Sequence, residues 1–309
     1  SYFSLLEAVE AKKSVSLDEK TLRQRIVSSL QTFWKNNAAF EKSNPEQTKQ
    51  LTFRDNRGKA AFMQTVILSK DTEANAAQIA TVLQDFEQKY PEQKKVFPTI
   101  ARMRLVVLQK TARFPELEGA VNKVFADYKP EQQQEILAGL EPVLQRDIKK
   151  LDQQKDQDTR LAAKRTLARL HADQMERKAF AEDQSPDQFK YELAQLYLDV
   201  KDYDKAIPLY QDLRQGAYSL AAIAGLAQIA ATQGDRKQAL SLWEEMLKET
   251  QAGDPLWFRG SYEVAYLNAT LGNTDLACRT VNSTKPLLNR LGDQGLKKKI
   301  QGLTQRCSN

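Results

Sequence analysis

The sequence is short of the residues that much enzyme chemistry draws on. It holds one histidine, His171, and two cysteines, Cys278 and Cys307. A triad or metal site that needs a second imidazole has none to use, and no pair of cysteines has the spacing of a zinc site. The glycine-rich phosphate loop, GxGxxG, GxSxG and HExxH patterns do not occur. Neighbouring acids such as Glu244 and Glu245 point in different directions on a helix, and Asp202 and Asp204 fall at a polar turn. Acid–base work on a bound substrate needs carboxylates fixed across a cleft. The chain is therefore expected to be no enzyme, with no catalytic residue, cofactor or metal ligand.

Glycine (12) and proline (10) are scarce in 309 residues, and no useful alternating segment reads as a strand. Helices are expected throughout. No apolar run approaches the roughly 18 residues that a membrane span needs. The net charge of +6 is spread over both halves and does not by itself argue for nucleic acid. The chain begins at Ser1 and shows no signal peptide. If a signal or anchor preceded Ser1, a periplasmic or envelope-associated location is expected; otherwise a cytoplasmic one.

What is present is a repeat. YELAQLYLDVKDYDKAIPLY (191–210), AIAGLAQIAATQGDRKQALSLW (222–243) and GSYEVAYLNATLGNTDLACRTV (260–281) align, each with an alanine on a first helix: Ala194, Ala227 and Ala265. A second small residue follows in each (Ala206, Ala239, Ala277), and then a large one (Tyr210, Trp243, Val281). Short polar turns stand between, at Lys201-Asp202, Gly234-Asp235 and Gly272-Asn273. Small residues let two antiparallel helices approach, and stacking of copies buries the apolar stripe that one copy leaves open. The pattern resembles the tetratricopeptide repeat. That resemblance implies an all-α fold, a right-handed superhelical solenoid of antiparallel helix pairs, and a binding scaffold.

Along the chain, residues 1–13 and 17–37 read as helices, the second with a stripe of Leu22, Ile26, Leu30 and Phe33. The polar segment 36–59, with Asn44-Pro45 and a basic tip of Arg54, Arg57 and Lys59, reads as a long loop. Helical hairpins follow at 60–89 and 99–128 as degenerate repeats, then a helix over 131–151 that Pro142 kinks or breaks. The stretch 152–158 lacks any apolar side chain, which divides the chain into a degenerate region, 1–154, and TPR-like repeats with a capping helix, 155–309. The helix over 159–181 carries a basic face of Arg160, Lys164, Arg165, Arg169 and Arg177, and the terminal helix carries Lys297, Lys298 and Lys299. Cys278 and Cys307 are either free thiols or, if the last helix folds back on the third repeat, a disulfide of an oxidising compartment.

In a stack of helix pairs the first helices line one concave face. Tyr191, Gln195, Gln228, Arg259, Tyr262 and Tyr266 are the candidate partner-binding residues on it. Aromatic and amide groups with one positive charge suit a peptide or a partner helix. The lysine and asparagine clamp by which one branch of the family holds acidic chaperone tails is replaced by Tyr191 and Gln195, so that ligand is not expected. The expected function is a non-catalytic protein–protein scaffold that aids assembly of a complex, at a bacterial envelope if a leader preceded Ser1. Nucleic acid is not the expected partner. The alternatives are a nucleic-acid-binding helical array built on the basic clusters, or an accessory domain of a larger enzyme.

Overall fold

The structure, a computed structural model, describes residues 19–69, 72–152, 156–179 and 185–307. Among these residues every regular element is a helix, and neighbours in sequence pack as neighbours in space. The helix expected over 1–13 lies outside them. The chain forms two compact units, one ending at Thr166 and the next beginning at Leu167.

The first unit contains α1 (Glu19–Ser43), α2 (Leu51–Leu68), α3 (Thr72–Leu83), the single turn α4 (Phe86–Lys89), α5 (Phe97–Lys110), α6 (Phe114–Asp127), α7 (Pro130–Leu137) and α8 (Leu140–Leu151). The long loop expected over 36–59 is absent. α1 runs on to Ser43, Pro45 lies in a tight turn, and α2 starts at Leu51. Several of the polar groups that suggest a loop meet tertiary partners instead. Arg57 pairs with Glu41 and lies over the rings of Trp34 and Phe53, while Trp34 donates its indole N–H to Gln64. Gly58 sits inside α2 because Tyr90 and Gln93 press on it; a Cβ there would come within 2.6 Å of Gln93 Cγ.

The helix expected over 131–151 is two. The break is at Gly139, whose φ of +79° favours glycine, and Pro142 falls in the first turn of α8, where its missing N–H costs nothing. The polar stretch 152–158, where the sequence suggests a boundary, contains the break between α8 and α9 (Gln157–Arg177). The two units divide inside α9.

The second unit continues with α10 (Pro186–Asp199), α11 (Tyr203–Asp212), α12 (Ser219–Thr232), α13 (Arg236–Glu249), α14 (Pro255–Thr270), α15 (Thr274–Ser283) and α16 (Gln294–Arg306), the last preceded by a 3-10 segment, Lys285–Arg290. Ser185, Asp235 and Asp293 cap α10, α13 and α16 through side-chain oxygens that accept backbone N–H bonds. The aligned small residues Ala194, Ala227, Ala265, Ala206, Ala239 and Ala277 are all buried, as are Tyr210, Trp243 and Val281. Helices of 10 to 16 residues are marginal alone in water, so this packing holds them. Full burial of one large apolar side chain contributes roughly 1.5–3 kcal/mol.

The three turns between paired helices share one geometry. Lys201, Gly234 and Gly272 have positive φ, and the next N–H in each (Asp202, Asp235, Asn273) bonds at 2.9 Å to the carbonyl five residues back (Tyr197, Ala230, Asn268). This is a Schellman ending, which satisfies carbonyls the helix leaves open. Asn268 adds a side-chain tie: fully buried, it accepts from Asn273 Nδ2 at 3.1 Å. The α5–α6 turn is built the same way at Ala112, with Arg113 N bonded to Leu108 O at 2.9 Å.

Two glycines that the alignment passes over set how closely the pairs stack. A Cβ on Gly225 of α12 would lie 2.5 Å from the Tyr210 ring of α11, and one on Gly260 of α14 would lie 2.4 Å from Met246 Cε of α13. Each glycine seats the large side chain of the preceding helix. At the end of the chain Cys278 of α15 and Cys307 form a disulfide, which decides between the two readings of these cysteines. Phe258, Ala265, Val281, Leu291 and Ile300 make the core beneath it.

Candidate functional site

The six candidate residues lie on the first helices of three successive pairs, α10, α12 and α14, and the structure joins most of them. Arg259 Nη2 of α14 donates to Gln228 Oε1 of α12 at 2.8 Å, and its guanidinium lies 5.7 Å from the centroid of Trp243. Tyr191 of α10 stacks on Tyr218, at the start of α12, with centroids 5.1 Å apart. Tyr262 stacks on Tyr266 within α14 at 6.1 Å. Tyr266 is 47% exposed, the most open of the large apolar side chains on this face.

Gln195 is turned inward. Its amide donates to the Tyr210 hydroxyl at 2.7 Å, so it supports the wall of the face rather than offering its N–H to a ligand. Burial pushes the Tyr210 hydroxyl far above the usual phenol range, and the same cause raises Tyr191 more modestly, with Arg259 offsetting part of it. Both remain neutral hydrogen-bonding groups at physiological pH.

Three participants are not among the candidate residues read from the sequence for this face. Tyr218 precedes its helix and shows no periodic signal. Lys299 belongs to the lysine run of the terminal helix, yet its ammonium lies 5.8 Å from the Tyr262 ring centroid. Glu263 stands one turn after Arg259; burial raises its carboxyl above the ordinary glutamate range, and Arg259 and Lys299 counteract part of that. The resulting surface has stacked tyrosines, one anchored guanidinium and one acid held partly out of water.

Elsewhere the chemistry is already engaged. His171 is buried with its ring 4.7 Å from that of Phe189, a core position. Among the described residues no cluster of three or more His, Cys, Asp or Glu is placed to hold a metal. The first unit has a cleft of about 590 Å³ lined by Leu83, Phe97, Ala101, Leu105 and Val124, with Arg104 and Tyr128 on its wall. There Glu87 holds Arg104 through both oxygens, at 3.0 and 3.1 Å, and Tyr128 donates to Phe97 O at 3.2 Å. Two of the basic clusters are likewise paired: Arg54 with Glu92, Lys59 with Asp55, Arg160 and Lys164 with Asp152, Arg165 with Glu118, and Arg177 with Asp173.

Among the described residues no helix is long and apolar enough to cross a membrane. A scan against family models and a search of curated proteins give no match for the chain.

Proposed function

We propose that the chain is a TPR-like solenoid, degenerate in its N-terminal half, that acts as a non-catalytic scaffold and takes a peptide or partner helix on the face of α10, α12 and α14. The observation that carries this reading is the ladder of contacts across those three helices: Tyr191 on Tyr218, Arg259 on Gln228, and Tyr262 on Tyr266. Rigid aromatic surface beside ordered polar groups is what interfaces use to gain affinity at small entropic cost. The pairing of Arg54, Lys59, Arg160, Lys164, Arg165 and Arg177 with acids supports protein over nucleic acid at those two clusters, since phosphate binding draws on unpaired cations. The Cys278–Cys307 bridge supports an oxidising compartment, as at a bacterial envelope, for the site of that assembly.

The test replaces Tyr191, Tyr262 and Tyr266 together by alanine. These side chains are at least partly exposed, so the far-ultraviolet dichroism should be unchanged, while peptides selected for binding to the native chain lose measurable affinity. Undiminished affinity in the triple variant would move the site off this face.

A further inference from the structure

Arg259 is fixed in place, but by a different kind of partner from the other anchored arginines. Arg104, Arg165 and Arg214 are each held by a carboxylate, from Glu87, Glu118 and Glu245. Arg259 has only the neutral amide oxygen of Gln228 and the face of Trp243, and makes no ion pair among the described residues. Its side chain is exposed. Lys299 likewise lies over Tyr262 and makes no ion pair among the described residues, though its charge reaches Glu263. Arg306 also makes no ion pair there, and its charge is felt at the Tyr262 hydroxyl. Three cations thus gather on the face near Glu263, which burial already disfavours as an anion, while Asp199 of α10 is close enough for its charge to reach Tyr210.

A guanidinium presents several N–H donors in a rigid plane, and one bond to Gln228 leaves most of them directed elsewhere. Stacking and the amide bond order the side chain before any ligand arrives, which removes part of the entropic cost of binding. Both stacked pairs neighbour Arg259: its charge reaches the Tyr191 hydroxyl of the Tyr191–Tyr218 pair, and Tyr262 of the Tyr262–Tyr266 pair follows it by one turn on α14.

Taking this face as a peptide site, we propose that Arg259 receives the side-chain carboxylate of an aspartate or glutamate within an extended peptide, whose apolar neighbours lie on the two tyrosine pairs. An internal acid fits better than a terminal carboxylate. A chain ending at Arg259 would leave one of the flanking aromatic pairs uncovered.

The experiment selects random dodecapeptides, displayed between flanking segments, against the full chain and against Arg259→Gln. The native chain should enrich an acid at one position between apolar residues. A selected peptide, synthesised with blocked ends, should bind Arg259→Gln about tenfold or more weakly, as expected for loss of a charge-assisted pair. It should bind Glu263→Gln more tightly, because a competing negative charge is gone. A pool with an aromatic or apolar consensus and no acid, equal affinity for Arg259→Gln, or a requirement for a free C-terminus each overturns the carboxylate proposal and leaves the peptide site standing. Failure to select any peptide, or affinity indifferent to the tyrosine substitutions, overturns both.

Discussion

Ala112, Lys201, Gly234 and Gly272 occupy the same place in four turns, each with φ between 54° and 89°. Two are glycines and two carry a Cβ that this conformation disfavours by roughly 1–2 kcal/mol. Lys201→Gly should therefore raise stability by up to about 1 kcal/mol, the entropy of the unfolded glycine offsetting the rest. Gly234→Ala should lower it by about 1 kcal/mol or more, and both appear as shifted urea midpoints at constant slope. Gly225 is constrained by a neighbour instead. A methyl 2.5 Å from the Tyr210 ring cannot be accommodated without moving the pair, so Gly225→Ala should cost about 1–3 kcal/mol. Glu263 gives a pH signature. Its folded carboxyl is raised by burial, so the stability it contributes is complete below the unfolded glutamate value of about 4.3 and is lost as pH rises through the folded one. Glu263→Gln should be more stable than the native chain at pH 7, and the two should converge near pH 4; parallel stability curves would contradict this assignment.

At the level of elements, the small-residue alignment was legible because close helix approach tolerates few alternatives, and Ala194, Ala227 and Ala265 are buried where it puts them. The glycines escaped it. Gly225 lies two positions before Ala227 and Gly260 five before Ala265, so no common spacing marks their shared role. The segment 36–59 misled for another reason. Its polarity and Asn44-Pro45 are loop signals, whereas its helices are held by contacts distant in sequence, such as Gln93 Nε2 donating to Asp55 Oδ1 at 2.5 Å. Local composition carries no record of such partners. Gln195 was placed on the right helix, but its inward turn depends on Tyr210 in the next one. The terminal helix α16 is the element most dependent on a covalent bond. Cys278 and Cys307 are 29 residues apart, and closing a loop of that length stabilises by about 3.6 kcal/mol in the chain-entropy account. Cys278→Ser with Cys307→Ser, or reduction, should lower the urea midpoint accordingly; an unchanged midpoint would mean the core around Ile300 suffices without the bridge.

For the whole molecule, helices were readable from scarce glycine and proline and from 3.6-residue periodicity, while the division into units was not. It falls inside α9, where the sequence continues without interruption from Ala162 and Ala163, buried before the division, to Leu167 and Leu170, buried after it. A fragment of residues 157–307 retains all of α9 and the cores of the second unit. It should unfold cooperatively with a smaller denaturant slope than the full chain, in proportion to the surface it buries. The disulfide has a mechanical consequence as well. A load applied at the C-terminus passes from Cys307 directly to Cys278 through the sulfur bridge, so the chain between them forms a slack ring that bears no tension. Drawn out in an optical trap, the oxidised molecule should be shorter at full extension than the reduced one by about 100 Å.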